Sequence, residues 1–97
     1  MTYNLQERVI LELRRLAKRY DIEKIILFGS RARGDHYERS DIDIAVSGGN
    51  TVEFSLEVDE QVNTLLMFDV VDLDGYISDA LHKEIERDGI LIYEKNR

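Results

Sequence analysis

Apolar positions along this chain follow two periods, and the periods alternate. From Asn4 to Tyr20, Leu5, Val9, Leu13, Leu16, Ala17 and Tyr20 recur three and four residues apart with Arg and Lys opposite, which predicts an amphipathic helix. Asn4 followed by Glu7 has the spacing of an N-terminal capping pair. Lys24 to Phe28 is a short unbroken apolar run, the pattern of a strand buried on both faces. Arg31 to Gly34 can form a helical turn, with polar loop from there to Ser40. Asp41 to Val46 then alternates strictly and reads as a strand. After the breaker Ser47-Gly48-Gly49-Asn50, the segment Thr51 to Met67 carries Val52, Leu56, Val62, Leu65 and Leu66 in helical register. Phe68 to Leu73 reads as a third strand. Ser78 caps a helix through Asp88, with Leu81 and Ile85 inward and Gly89 as its stop. Ile90 to Tyr93 is a last apolar run suited to an edge strand. Helices alternating with strands predict a two-layer α/β fold around one small sheet.

Within this frame one stretch stands apart, Gly29 to Val46, reading GSRARGDHYERSDIDIAV. In its final strand Ile42, Ile44 and Val46 share one face, while Asp41, Asp43 and Ala45 share the other. Two neighbouring carboxylates on an otherwise apolar strand repel each other unless a cation lies between them.

Composition narrows the setting. At 97 residues, with no internal repeat and no proline, the chain is expected to be one domain, residues 1–97. There is no cysteine, which excludes a disulfide framework and a zinc–thiolate site. The two histidines, His36 and His82, have no ligand spacing. No apolar stretch approaches membrane-spanning length and the N-terminus lacks a signal peptide's apolar core, so a cytoplasmic protein is expected. A net charge of −7 argues against bulk nucleic-acid binding. Arg8, Arg14, Arg15, Lys18 and Arg19 nevertheless crowd the first helix, either as a solvated face or as a docking surface for a protein.

Several motif readings fail on the residues. Gly29 and Gly34 are spaced as in a phosphate-binding P-loop, but Asp35 stands where that loop needs its lysine. The three-glycine dinucleotide pattern is absent. Asp41-x-Asp43 could open an EF-hand, yet Ala45 occupies the third ligand position. Arg33-Gly34-Asp35 spells an integrin tripeptide by chance. What survives is Gly29-Ser30, ten residues, then Asp41-x-Asp43, with another acid on a neighbouring strand. An Asp-x-Asp alone is more often a turn or cap feature; the glycine turn and the further strand acid set this one apart. The set suits nucleotidyl transfer, in which two Mg²⁺ about 3.5–4 Å apart are held by converging carboxylates. The third carboxylate is Asp69 or Asp72, which alternation puts on opposite faces, so only one can join the pair. The Gly29-Ser30 turn lets backbone approach a triphosphate, the Ser30 hydroxyl can bond a phosphate oxygen, and Arg31 and Arg33 are candidate phosphate contacts.

These residues carry a resemblance. GSRARGDHYERSDIDIAV looks like the signature of the DNA polymerase β-type nucleotidyltransferase superfamily; with FDVVDLD and the ending EIERDGILIYE, nearly the whole chain resembles the minimal nucleotidyltransferase (MNT) family. The resemblance implies the polymerase β-like core, a small mixed sheet with helices packed on it. It implies Asp41, Asp43 and Asp69 as catalytic, metal-holding residues, and a nucleotide site at Gly29, Ser30, Arg31, Arg33 and Ser40. Two Mg²⁺ ions and ATP as substrate follow from it. So does a partner, because stand-alone members pair with a small helical HEPN ribonuclease toxin and move AMP from ATP onto one of its tyrosines, as antitoxins in a homo- or hetero-oligomer. Two other functions fit a chain with no acceptor pocket of its own: masking the toxin by contact alone, or nucleotidyl transfer to a small molecule.

Overall fold

The chain was described from a computed structural model covering residues 5–62 and 64–95. Eight elements alternate as α1 (Glu7–Arg19), β1 (Lys24–Phe28), α2 (Ser30–Arg33), β2 (Ile42–Ser47), α3 (Thr51–Gln61), β3 (Phe68–Asp72), α4 (Asp79–Asp88) and β4 (Ile90–Glu94). The strands form one mixed sheet in the order β3-β2-β1-β4. β1 runs antiparallel to both β2 and β4, whereas β2 and β3 are parallel. A parallel pair needs a crossover, and α3 supplies it. This is the small mixed sheet with helices packed on it that the resemblance implies.

α1 forms because Val9, Ile10, Leu13, Leu16 and Ala17 make one buried stripe. The proposed capping residue Asn4 lies outside the described residues; Gln6 precedes the helix and makes no side-chain cap. The stripe packs on the sheet face built from Ile25, Leu27, Ile42, Ile44, Val46 and Ile92, together with Phe54 and Val58 of α3. Phe28 and Ala45 point the other way, where Ile85 of α4 covers them. β1 is therefore central and covered on both sides, as its unbroken apolar run requires. β4 takes an edge, and the Arg14 guanidinium donates from Nε to the Ile92 carbonyl at 2.8 Å. That contact commits one of the arginines that the first helix offered for docking.

The second long helix differs from expectation. It ends at Gln61 rather than Met67, with Val62 already extended at φ −72°, ψ 118°. Its buried side is Thr51, Phe54 and Val58, while Val52 and Leu56 are exposed and Leu65, beyond the helix, is fully so. Apolar residues stand on both sides of this helix, and Phe54 with Val58, four apart, has the larger ring to bury. Asn50 caps α3, its Oδ1 accepting from Glu53 N at 3.2 Å, and the cap expected at Ser78 holds, its Oγ accepting from Leu81 N at 3.2 Å. Gly89 ends α4 without a left-handed turn. A Cβ there would lie 2.4 Å from the Ile85 carbonyl oxygen and 2.7 Å from Ile26 Cγ2, so the glycine is needed for close approach of α4 to the sheet. Among the described residues no helix is long and apolar enough to cross a membrane.

Candidate active site

The expected strand Asp41–Val46 starts one residue later, at Ile42, which leaves Asp41 exposed at its mouth. Asp43 is half-buried, the less exposed member of the pair. It lies across from Phe28 in β1 and, on the other side, directly across from Asp69 in β3. In parallel strands, residues in register present their side chains to the same face, so these two carboxylates share the α4 side of the sheet with Ala45 and Val71.

Asp72 goes the other way. Its Oδ2 accepts from Thr51 Oγ1 at 2.8 Å and its Oδ1 from Asp74 N at 2.9 Å. The alternation that left Asp69 and Asp72 open is thus resolved by register: Asp69 joins Asp43, and Asp72 ties β3 to α3.

Gly29 is held at φ +74°, and a Cβ on it would lie 2.2 Å from Asp43 Oδ2. The turn has glycine because the Asp43 carboxylate rests against its backbone, a second reason beside the access to a ligand read from sequence. Ser30 opens α2 beside it, and the Ser30 carbonyl accepts from Gly34 N at 2.8 Å and Asp35 N at 3.1 Å.

Asp43 pays for its surroundings with a high pKa, raised to about 6 by burial first, then by Asp69, Asp41 and Glu84, with Arg33 opposing. Glu84 was missed by the sequence reading. It sits on α4 one residue before the inward Ile85, and only the docking of α4 on this face brings its charge to bear.

The arginines of the motif divide. Arg31 is 6% exposed and donates from Nε to the Ser40 carbonyl at 3.1 Å and from Nη2 to the Glu38 carbonyl at 3.0 Å. Ser40 Oγ in turn accepts from Tyr37 N at 2.8 Å. Arg31 also lines a cavity with Leu5, Val9 and Ile42, on the α1 side of the sheet. Within the protein, Arg31 and Ser40 both brace the loop between α2 and β2, because backbone carbonyls that bend back over α2 need a donor. Arg33 is exposed, donates from Nε to Asp35 at 3.1 Å and from Nη1 to Asp88 at 3.2 Å, and acts electrostatically on Asp43.

The carboxylates of Asp41, Asp43 and Asp69 make an all-oxygen donor set beside the glycine turn, which suits a hard divalent cation such as Mg²⁺. Among the described residues no three acidic or histidine side chains are already drawn to metal-binding spacing. The repulsion that Asp69 and Asp41 add to the burial of Asp43 is nonetheless the electrostatic condition a cation would relieve.

A family model for polymerase beta nucleotidyltransferases matches residues 12–97. The chain belongs to that family.

The nucleotidyltransferase is 52% identical over 50 residues to a candidate protein adenylyltransferase of Methanocaldococcus jannaschii, a match covering 52% of this chain and 48% of that relative. It thus spans about half the length of that relative. Among solved structures it is similar to a chain of a toxin–antitoxin crystal structure with AMP-PNP, at TM-score 0.69 and 26% identity over 94% of this chain and 75% of the other. It is likewise similar to a chain of a mutant MntA–HpeT toxin–antitoxin structure, at TM-score 0.70 and 26% identity with the same coverage. A structure of tri-AMPylated Shewanella oneidensis HEPN toxin with MNT antitoxin shares the fold, at TM-score 0.67 and 22% identity over 94% of this chain and 74% of that one. The resemblance read from the GSRARGDHYERSDIDIAV stretch is borne out at the level of family and fold.

Proposed function

We propose that this nucleotidyltransferase moves AMP from ATP onto a hydroxyl of a protein partner, a tyrosine of a HEPN toxin, and so acts as its antitoxin. The observation that carries the reading is the pairing of Asp43 with Asp69 across β2 and β3, beside the Gly29 turn. The toxin–antitoxin structures with similar chains supply the partner class.

Asp41, Asp43 and Asp69 would hold Mg²⁺, which when bound offsets charge on the triphosphate and on the attacking oxygen. The chain's own residues do the rest. Gly29 leaves room for Asp43 and keeps the turn flat, and Ser30 offers a hydroxyl to a phosphate oxygen. Arg33 meets negative charge at the rim. Asp69, exposed on β3, is placed to accept the proton of the incoming hydroxyl. The acceptor oxygen then bonds to the α-phosphorus, the bond to the β-phosphate oxygen breaks, and pyrophosphate leaves.

The test is to incubate the protein with α-labelled ATP, Mg²⁺ and the protein encoded by its neighbouring gene. Label on the partner, lost when its tyrosines are changed to Phe, is the expected result. A stable complex without label would replace the reading with masking by contact. Label on neither protein, with an AMP-modified small molecule formed instead, would move the acceptor to a metabolite.

A further inference from the structure

Arg33 is anchored from a distant part of the chain. Its Nη1 donates to Asp88 Oδ2 at 3.2 Å, across 55 residues of sequence, and its Nε donates to Asp35 Oδ2 at 3.1 Å. Two carboxylates on two different edges fix the plane of a guanidinium, because its donors form a rigid fork. Nη2 is left over, and no partner for it occurs among the described residues.

Asp88 is itself well placed as an anchor. It is the last residue of α4, its side chain is only 9% exposed, and Arg87 closes on it from the other side, Nε at 3.0 Å and Nη2 at 2.8 Å. Held by two cations, it stays ionised, and its pKa is pushed down to about 2, chiefly by the Arg87 hydrogen bonds. The helix carrying it is locked to the sheet by Ile85 and by the tight approach at Gly89. A fixed carboxylate on a locked helix therefore sets where the Arg33 guanidinium stands relative to Asp43.

We infer that Asp88 is a positioning residue for the nucleotide, acting through Arg33: it holds the guanidinium at the rim of the acidic face with Nη2 open to a phosphate oxygen. This rests on the nucleotidyl-transfer reading, in which a nucleoside triphosphate occupies that face. Such a role has an unusual sign. Removing an anion beside a polyanion's site strengthens binding if only charge matters. Removing an anchor weakens it, because the arginine must then be ordered by the ligand.

The experiment is a calorimetric titration of the full chain with AMP-PNP and Mg²⁺, comparing wild type with Asp88→Ala, Asp88→Asn, Arg33→Ala, the Arg33→Ala/Asp88→Ala double variant and Arg87→Ala. Kd is expected to rise about five- to tenfold in Asp88→Ala, the scale of one charge-assisted hydrogen bond. The double variant should bind no worse than Arg33→Ala alone, since Asp88 acts only through that side chain. Arg87→Ala should leave Kd within about twofold. In turnover with a protein acceptor, KM for ATP should rise while kcat holds. If Asp88→Ala fails to fold by circular dichroism, Asp88→Asn decides the matter by the same criteria. Binding as tight as wild type, or tighter, overturns the inference and leaves the nucleotidyl-transfer reading standing, as do additive losses in the double variant. No AMP-PNP binding by the wild type overturns both.

Discussion

The Asp43→Asn substitution should make the metal-free protein more stable at neutral pH, although it removes a residue placed at the heart of the site. The folded-state pKa of Asp43 is about 6 against an ordinary 3.8, raised by burial and by Asp69, Asp41 and Glu84. A folded pKa above the unfolded one means that the group's contribution is fully present below about pH 4 and is lost as pH rises through 6. Above that, the ionised carboxylate works against the fold. The difference between 3.8 and about 6 corresponds to about 3 kcal/mol at 1.36 kcal/mol per pH unit. Asp43 is only half-buried, and solvent reaching the carboxylates reduces this to about 1–2 kcal/mol. Asn keeps the shape and carries no charge. Urea denaturation in EDTA at pH 4.5 and 7.5 is the assay. The variant's lead should be smaller at pH 4.5 and reach about 1–2 kcal/mol at pH 7.5, a shift in Tm of about 4–10 °C for a domain this small. Mg²⁺ should then stabilise wild type and not the variant. A variant less stable than wild type at pH 7.5, or an equal difference at both pH values, would refute the reasoning, because the carboxylate would then be held by contacts rather than repelled by neighbours.

Gly29→Ala places a methyl 2.2 Å from Asp43 Oδ2 at a φ of +74°, so it should cost about 1–3 kcal/mol in urea unfolding and abolish Mg²⁺-dependent nucleotide binding. Unchanged binding would mean that Asp43 can move aside without consequence. Asp69→Ala and Asp72→Ala should part company: the first loses turnover with its stability intact, and the second keeps turnover but loses about 1 kcal/mol through the Thr51 bond. The reverse pattern in labelled-ATP transfer would show the active face to be that of α3. Reversing Arg15 and Lys18, both exposed on α1, to Glu should slow partner modification more at low salt than at high salt while AMP-PNP binding survives. Identical kinetics at low salt would mark that helix face as merely solvated.

Much of this was already decided by local pattern. The alternation of Ile42, Ile44 and Val46 with Asp43 and Ala45 dictated which residues share one face of the strand and which share the other, the faces that α1 and α4 cover, because a strand has only two faces. Ser78, Gly89 and the Ser47–Asn50 breaker marked boundaries through chemistry that acts within a few residues. The unbroken apolar run Lys24–Phe28 foretold a strand covered on both faces. The face of α3 was not readable in the same way, since Val52 and Leu56 offered a stripe as apolar as Phe54 and Val58, and only the sheet it packs on chose between them. Nor could spacing say that Arg31 turns back onto the Ser40 and Glu38 carbonyls while Arg33 reaches Asp88, for the two arginines are chemically identical and two residues apart. The parallel register that sets Asp69 beside Asp43, and the docking of α4 that brings Glu84 and Asp88 to the same face, are contacts between segments far apart in sequence. Sequence by itself determined which residues carry charge and on which side of their own strand they stand. Which of those charges meet was decided by tertiary packing, because strand pairing and helix docking are set by the burial of the whole core rather than by any one segment.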